Sequence, residues 1–373
     1  MRVGITGVHG LLGWHTRCRL HVEDDIDVVG AGRATFAEPE RVDAFVRGCD
    51  AIVHLAGINR AHDAEIERGN PELARTLVGA LERTGATPHV LYSSSIHVDR
   101  DTVYGRSKRV AGEIIGEWAE RVGAAFSNLL LPHVFGECGR PFYNSVVSTF
   151  CYQLANGETP RIDVDGELNL LHAQQVADLV LDRVRGGQGG IGRPDGQQVK
   201  VSEMLEGLQS MASGYLGGVI PDLSDEFDLR LFNTFRSYLF PDHYPVALKL
   251  NTDPRGSLFE AVKTRHGGQA FLSTTHPEIT RGDHFHFQKV ERFLVVHGEA
   301  VIRLRRLFDD RVVEYRVRGD EPVFVDMPTL HTHNITNVGS SDTLTLFWSH
   351  QIFDPERPDT YREPVEPLGQ DTP

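Results

Sequence analysis

Paired cysteines are missing from this chain. Its four, Cys18, Cys49, Cys138 and Cys151, stand at intervals that form neither a disulfide framework nor a metal or redox motif, which fits a reducing compartment. Long apolar runs are missing too: none approaches the roughly 18 residues of a membrane span. The opening Met1–Gly7 breaks at glycine before it reaches the length of a signal-peptide core. A cytoplasmic protein without membrane insertion is expected. Positive charge is in short supply, with 38 Lys and Arg against 52 Asp and Glu and a formal charge of −14. Such a balance excludes general affinity for nucleic-acid phosphates or anionic lipid and leaves room only for local basic pockets.

What is present fits two domains, since 373 residues exceed one typical domain and let each half bury its own core. Arg2–Thr6 reads as a buried strand. Gly7, Gly10 and Gly13 follow at the spacing G-x-x-G-x-x-G and lead into a helical run from Leu11 to Leu20. Glycine lets a backbone turn tightly and approach a pyrophosphate, while the helix N-terminus offers it unpaired N–H groups. Further strands are expected at Ile26–Ala31, Ala51–Leu55, Val90–Tyr92 and Phe126–Leu131, separated by helical lengths, the alternation of a doubly wound parallel sheet. After the second strand stands Arg33, where a free ribose 2′-hydroxyl calls for an acid. Arginine favours a 2′-phosphate, hence NADPH.

Ser93, Ser94 and Ser95 end the fourth strand, and Tyr104 and Lys108 lie four apart on one helix face. An ammonium beside a phenol favours the phenolate and lets it exchange a proton with a carbonyl oxygen near neutral pH; a serine hydroxyl can hold the same oxygen. On these residues, with His54-Leu55-Ala56-Gly57, Asn70, Pro132 and Phe135-Gly136, roughly the first 240 residues resemble the extended short-chain dehydrogenase/reductase family. The resemblance implies a Rossmann-type reductase of nucleotide sugars. It implies Ser95 (Ser94 next), Tyr104 and Lys108 as catalytic residues, and Gly7, Gly10, Gly13, Arg33, Leu55, Ala56 and Lys108 as cofactor contacts. Leu130 stands where the family usually has arginine, and Gln174 and Gln175 where it has aspartate.

The glycine-rich run Arg185–Gly190 reads as a surface loop, Ser202 as a helix N-cap, and the proline-marked stretch Phe240–Pro245 as the boundary, giving domains 1–245 and 246–373. Beyond it, short alternating segments such as Val301–Arg305 and Val312–Val317 point to an all-β sandwich or barrel. His284, His286, Glu291 and Gly298, then Pro328, His333 and Asn337, resemble the two motifs of the cupin family, which implies an all-β cupin barrel for this domain. Glu278 and Leu330 occupy turn positions where glycine is usual. Two histidines two apart on a strand share a face, and with Glu291 and His333 they make four ligands for one metal ion. Imidazole with carboxylate suits zinc, manganese, iron or nickel; zinc is the first expectation.

Both halves together resemble a family of bifunctional capsular polysaccharide enzymes, through Tyr143–Val146, Phe150–Tyr152, Asp253–Ser257, Phe293–Val296, His333–Ile335, Phe353–Pro355 and Pro358–Tyr361. This implies a homodimer acting on a UDP-2-acetamido-2,6-dideoxy-4-keto-hexose. Carbon 3 is inverted and carbon 4 then reduced, on the route to UDP-N-acetyl-L-fucosamine. The base that removes the carbon 3 proton is not identified by sequence; His331 and Lys289 stand nearest the ligands. Two rival readings are a reductase with a structural or dimerising β domain and a non-catalytic sensor. Metal content and exchange of the carbon 3 proton with deuterium discriminate among them.

Overall fold

A computed structural model describes residues 1–254 and 256–366; Arg255 of the Asp253–Ser257 stretch lies outside the described residues. The chain divides into two compact units, Met1–Thr149 with Ile162–Val201, and Phe150–Arg161 with everything from Ser202 onward.

The first unit is built on β1 (Arg2–Thr6), β2 (Asp27–Ala31), β3 (Ala51–His54), β4 (His89–Ser95), β5 (Phe126–Leu131), β6 (His133–Phe135), β7 (Glu167–His172), β8 (Gly190–Gly192) and β9 (Gln197–Lys200). Six of them form a parallel sheet in the order β2-β1-β3-β4-β5-β8, and β6, β7 and β9 form a second, smaller sheet. The alternation of side chains explains the two cores. Ile52, Val90 and Tyr92 face Leu77, Ile115 and Trp118 on one side; Val53, Leu91 and Leu129 face Leu20, Val176 and Val180 on the other. Each such side chain fully buried is worth roughly 1.5–3 kcal/mol. The doubly wound reading therefore holds, with one addition: the glycine-rich run expected as loop supplies β8, the sixth strand, whose Gly190–Gly192 pairs with Ser127–Leu129.

In the second unit the strands are β10 (Val246–Ala247), β11 (Asn251–Asp253), β12 (Gly256–Leu258), β13 (Gln269–Thr275), β14 (Thr280–Phe285), β15 (Glu291–His297), β16 (Glu299–Arg306), β17 (Val312–Arg318), β18 (Val323–Met327), β19 (His331–Asn337), β20 (Thr343–Ser349) and β21 (Tyr361–Arg362). Apart from the β11–β12 hairpin they form two five-stranded antiparallel sheets, β10-β18-β15-β20-β13 and β17-β16-β19-β14-β21. The antiparallel character is as expected. Closure into a cupin barrel is not shown: among the described residues the ladders run within two separate sheets.

The unit boundary also falls earlier than the composition change at Val246. Helices Val201–Leu216 and Glu226–Arg236 belong with the β-sheets. Long-range bonds hold them there: the Tyr215 hydroxyl donates to Asp326 at 2.5 Å, Arg236 to the Met327 carbonyl at 3.1 Å, and Asn233 to the Gln288 carbonyl at 2.8 Å. Ser202 is inside the first of these helices rather than its N-cap, because β9 runs straight into it, with the Val201 N–H bonded to the Gly166 carbonyl.

Candidate active site and metal centre

The C-terminal ends of β1, β3 and β4 carry most of the predicted reductase residues, where ligands of open α/β sheets bind. After β1 the chain turns through Gly7, whose N–H bonds the Ala31 carbonyl at the end of β2, and enters the helix Leu11–His21 with Gly10 as N-cap. No side chain caps that N-terminus and no acid sits in its first turn, so its N–H groups and partial positive charge suit a pyrophosphate. Gly13 is fixed by close approach: a Cβ there would lie 2.2 Å from the Gly7 carbonyl oxygen. Arg33 is exposed at the first position of a short helix directly after β2. Leu55 and Ala56 follow β3, and the Ala56 N–H donates to Thr6 Oγ1 at 3.1 Å. An uncapped helix end, a glycine cradle and an arginine beyond β2 fit NADPH.

Ser95 ends β4 and accepts a hydrogen bond from the His97 N–H at 3.2 Å. Tyr104 opens the helix Val103–Val122, whose N-cap Thr102 accepts from the Gly105 N–H. Burial pushes the Tyr104 phenol up, and a hydrogen bond from Ser95 opposes it. Lys108 lies one turn on and is 4% exposed; burial pushes its ammonium down to about 7. The Lys108 ammonium is seated over the ring of Tyr92, 4.4 Å from its centroid.

Sequence reasoning named Asn70 without a role. Its amide accepts from the Ile58 N–H and donates to the Ile58 carbonyl, both at 2.8 Å, and to Ser107 Oγ at 3.0 Å. It thus ties the loop after β3 to the helix Val103–Val122.

In the second unit the four predicted ligands converge. His284 is on β14, His286 just beyond it, Glu291 opens β15 and His333 is on β19; their ligand atoms lie within 4.8 Å of one another. A β-bulge sets this up. Gly282 pairs with Asn334 and His284 with His333, so Asp283 is the extra residue at φ +56. Gly282 has φ +114, and a Cβ on it would lie 2.6 Å from the His333 carbonyl oxygen.

The imidazoles are oriented by backbone acceptors. His286 Nδ1 bonds the Asp359 carbonyl, His333 Nδ1 the His331 carbonyl at 3.1 Å, and His284 the Gly282 backbone. This leaves Nε2 of His286 and His333 for the centre, the usual way of fixing the tautomer of a ligand. Burial pushes His284 down to about 3 and lowers His333. Burial also pushes Glu291 up, but the neighbouring imidazoles, His286 through a hydrogen bond at 2.9 Å, outweigh it and hold the carboxyl well below its usual range. Neutral imidazole and ionised carboxylate are the states a metal requires. Among the described residues His333 Nε2 is buried without a hydrogen-bond partner, 3.7 Å from Glu291. That orphan, with three nitrogens and a carboxylate in reach, fits one divalent cation.

One residue whose role sequence reasoning missed is Asp359, at φ +41. Its carboxylate accepts the N–H groups of Phe287, Gln288 and Lys289 at 2.8–3.0 Å, clamping the loop that joins His286 to Glu291. An Asp after Pro358 was the only local signal. Of the two base candidates, Lys289 is engaged: its ammonium donates to the Pro358 carbonyl at 2.6 Å and to Thr360 Oγ1 at 3.2 Å. His331 bonds the Thr329 carbonyl through Nδ1, and its ring packs against Phe240 with centroids 4.7 Å apart. It lies two residues from His333 on β19 and so on the same strand face.

The first unit has the doubly wound parallel architecture of a dinucleotide-binding domain, and the same chain carries a β unit that presents four convergent donor side chains. Residues 3–188 match the NAD dependent epimerase/dehydratase family, and residues 251–361 the polysaccharide biosynthesis C-terminal domain. The UDP-2-acetamido-2,6-beta-L-arabino-hexul-4-ose reductase of Pseudomonas aeruginosa is 32% identical over 366 residues, 97% of this chain and 98% of that one. The crystal structure of the capsular polysaccharide assembling protein CapF from Staphylococcus aureus is 33% identical, with TM-score 0.62, covering 98% of this chain and 100% of that one. The chain belongs to the family of these two proteins. RMD from Pseudomonas aeruginosa complexed with NADPH, 21% identical over 57% of this chain and 85% of that one with TM-score 0.52, shares the fold alone.

Proposed function

We propose that this chain, as a cytoplasmic homodimer, epimerises carbon 3 and reduces carbon 4 of a UDP-2-acetamido-2,6-dideoxy-4-keto-hexose. The product leads to UDP-N-acetyl-L-fucosamine for a capsule or surface polysaccharide. The observation that carries the reading is the presence in one chain of a serine–tyrosine–lysine set at the end of a parallel sheet and a convergent centre of three imidazoles and a carboxylate. The named relative, a reductase of a UDP-4-ketohexose, supports it across both units.

The Gly7–Gly13 turn, Arg33, Leu55, Ala56 and Lys108 would hold NADPH, the source of a hydride, and His284, His286, Glu291 and His333 would hold a divalent metal, zinc first, whose positive charge would acidify a proton next to a carbonyl. Tyr104 donates its proton to the oxygen on carbon 4, and Ser95, whose hydroxyl bonds the phenol in the free protein, turns its one proton to that oxygen when substrate is present. His331 is the remaining base candidate, since the Lys289 ammonium is committed to two acceptors. Epimerisation precedes reduction, because the carbon 3 proton is acidic only while carbon 4 is a carbonyl. Incubating the protein with NADPH and the UDP-4-keto sugar, then reading the product by NMR, is expected to show inversion at carbon 3 and a hydroxyl at carbon 4. A product reduced at carbon 4 with carbon 3 unchanged would leave the reductase reading and remove the epimerase one.

A further inference from the structure

Lys108 carries a buried charge with no carboxylate against it. Among the described residues it makes no ion pair, and burial is the one cause of its lowered pKa. The groups around it are the face of Tyr92 on β4, Tyr104 on its own helix, His54 on β3, and the Gly57 backbone with the neutral Asn70 amide. A Cβ at Gly57 would lie 3.5 Å from the Lys108 ammonium, so this side too is closed. Tyr92 is 1% exposed.

The ring under the ammonium is held from below by strand register. Thr6 of β1, His54 of β3 and Tyr92 of β4 pair in one row across the sheet. His54 Nδ1 hydrogen-bonds Thr6 Oγ1 at 2.8 Å, and its ring stacks on Tyr92 with centroids 5.7 Å apart and planes 25° from parallel. Phe36 stacks on the far side of His54, with centroids 6.3 Å apart. The same Thr6 hydroxyl accepts the Ala56 N–H. A column of three rings thus runs from the cofactor-side loops to the lysine.

We propose that Tyr92 is a positioning residue: its ring face seats the Lys108 ammonium and keeps it charged inside a carboxylate-free pocket, through the attraction of a cation to an aromatic face. The inference rests on the reductase reading for its consequence, which is that Tyr92 sets how far above neutrality Lys108 can serve the reaction. It does not rest on that reading for its test. Strength at such a desolvated site is set by the electron density of the ring, and the hydroxyl has little part in it; the Tyr92 hydroxyl reaches only the Lys108 carbonyl, at 3.5 Å.

The test replaces Tyr92 by phenylalanine and by phenylalanines carrying one, two and three ring fluorines, which drain the ring face while nearly preserving its shape. The Lys108 side chain is titrated by NMR in the protein without cofactor, and the pH profile of NADPH oxidation is measured beside it. Tyr92→Phe is expected to keep both near wild type. The fluorinated series is expected to move the Lys108 midpoint stepwise downward, by about 0.5 to 1.5 pH units in all, and to draw the alkaline limb of kcat down with it. A Lys108 midpoint indifferent to fluorination overturns the seat even if the enzyme is active. A shifting midpoint in a protein that oxidises no NADPH upholds the seat and overturns the reductase reading instead.

Discussion

A buried ammonium is a cost to the fold, and Lys108 shows where that cost is accepted. In the unfolded chain its pKa is near 10.4; in the folded protein burial brings it to about 7. Between those values the unfolded chain holds a proton that the native protein has released. Stability from this group therefore rises with pH from about 7 to 10, and its penalty is fully present below 7. Lys108→Met removes the penalty at the same volume. It is expected to raise Tm at pH 6 by roughly 2–4 °C, with the gain shrinking by pH 9, while reduction is lost. A variant less stable than wild type at pH 6, followed by thermal unfolding, would show that the charge stabilises the fold and that its retention needs no functional reason. The neighbouring Tyr104 is in the opposite position: its neutral phenol is favoured by burial, so its form as a proton donor costs nothing at neutral pH.

At the scale of elements, two turns carry backbone strain that the sequence disclosed. Glu278 and Leu330 stand where glycine is usual, and both adopt the left-handed region, at φ +64 and +60. The turn shapes are kept and the side chains are the anomaly. Each is tied in place, Glu278 N–H to the Asn337 carbonyl at 3.0 Å and Leu330 N–H to the His286 carbonyl at 2.8 Å. Glu278 is exposed, so Glu278→Gly relieves about 1–2 kcal/mol of left-handed strain against a smaller entropic loss and is expected to raise Tm by roughly 1–3 °C. Leu330 is 1% exposed; there the same change opens a cavity worth about 2–5 kcal/mol and should lower Tm. If thermal unfolding gave both variants the same sign, strain at these turns would not be the governing factor.

These elements also mark what was legible. Local periodicity located β1 and β5 at their observed bounds, and fixed spacings named the four side chains that converge in the second unit. The Asp359 clamp on residues 287–289 was hidden, since its partners lie about 70 residues apart in sequence. So was the attachment of Val201–Leu216 to the β unit through Tyr215 and Asp326. The seat of Lys108 on Tyr92 depends on strand register, which a single strand's pattern does not reveal.

Across the whole molecule, chemistry links the two sites. The carbon 3 proton is removable only beside a ketone, and the proposed reduction destroys that ketone, so epimerisation must come first, and each proposed activity can be lost without the other when its own substrate is supplied. Tyr104→Phe deletes the hydroxyl that Ser95 bonds and is expected to slow NADPH oxidation by about 10²–10⁴-fold, while carbon 3 still exchanges with solvent deuterium at the wild-type rate. His284→Ala deletes one of the four donors. It should cut exchange by at least about 100-fold, abolish stoichiometric metal, and leave reduction within about twofold when the epimerised 4-ketone is supplied directly. Removing the metal with a chelator should reproduce the second pattern in the unaltered protein. Loss of both activities in correctly folded Tyr104→Phe would mean that one site does both jobs. Undiminished exchange in metal-free protein would mean that His284, His286, Glu291 and His333 form a structural centre, and that the acidifying charge comes from elsewhere in the chain.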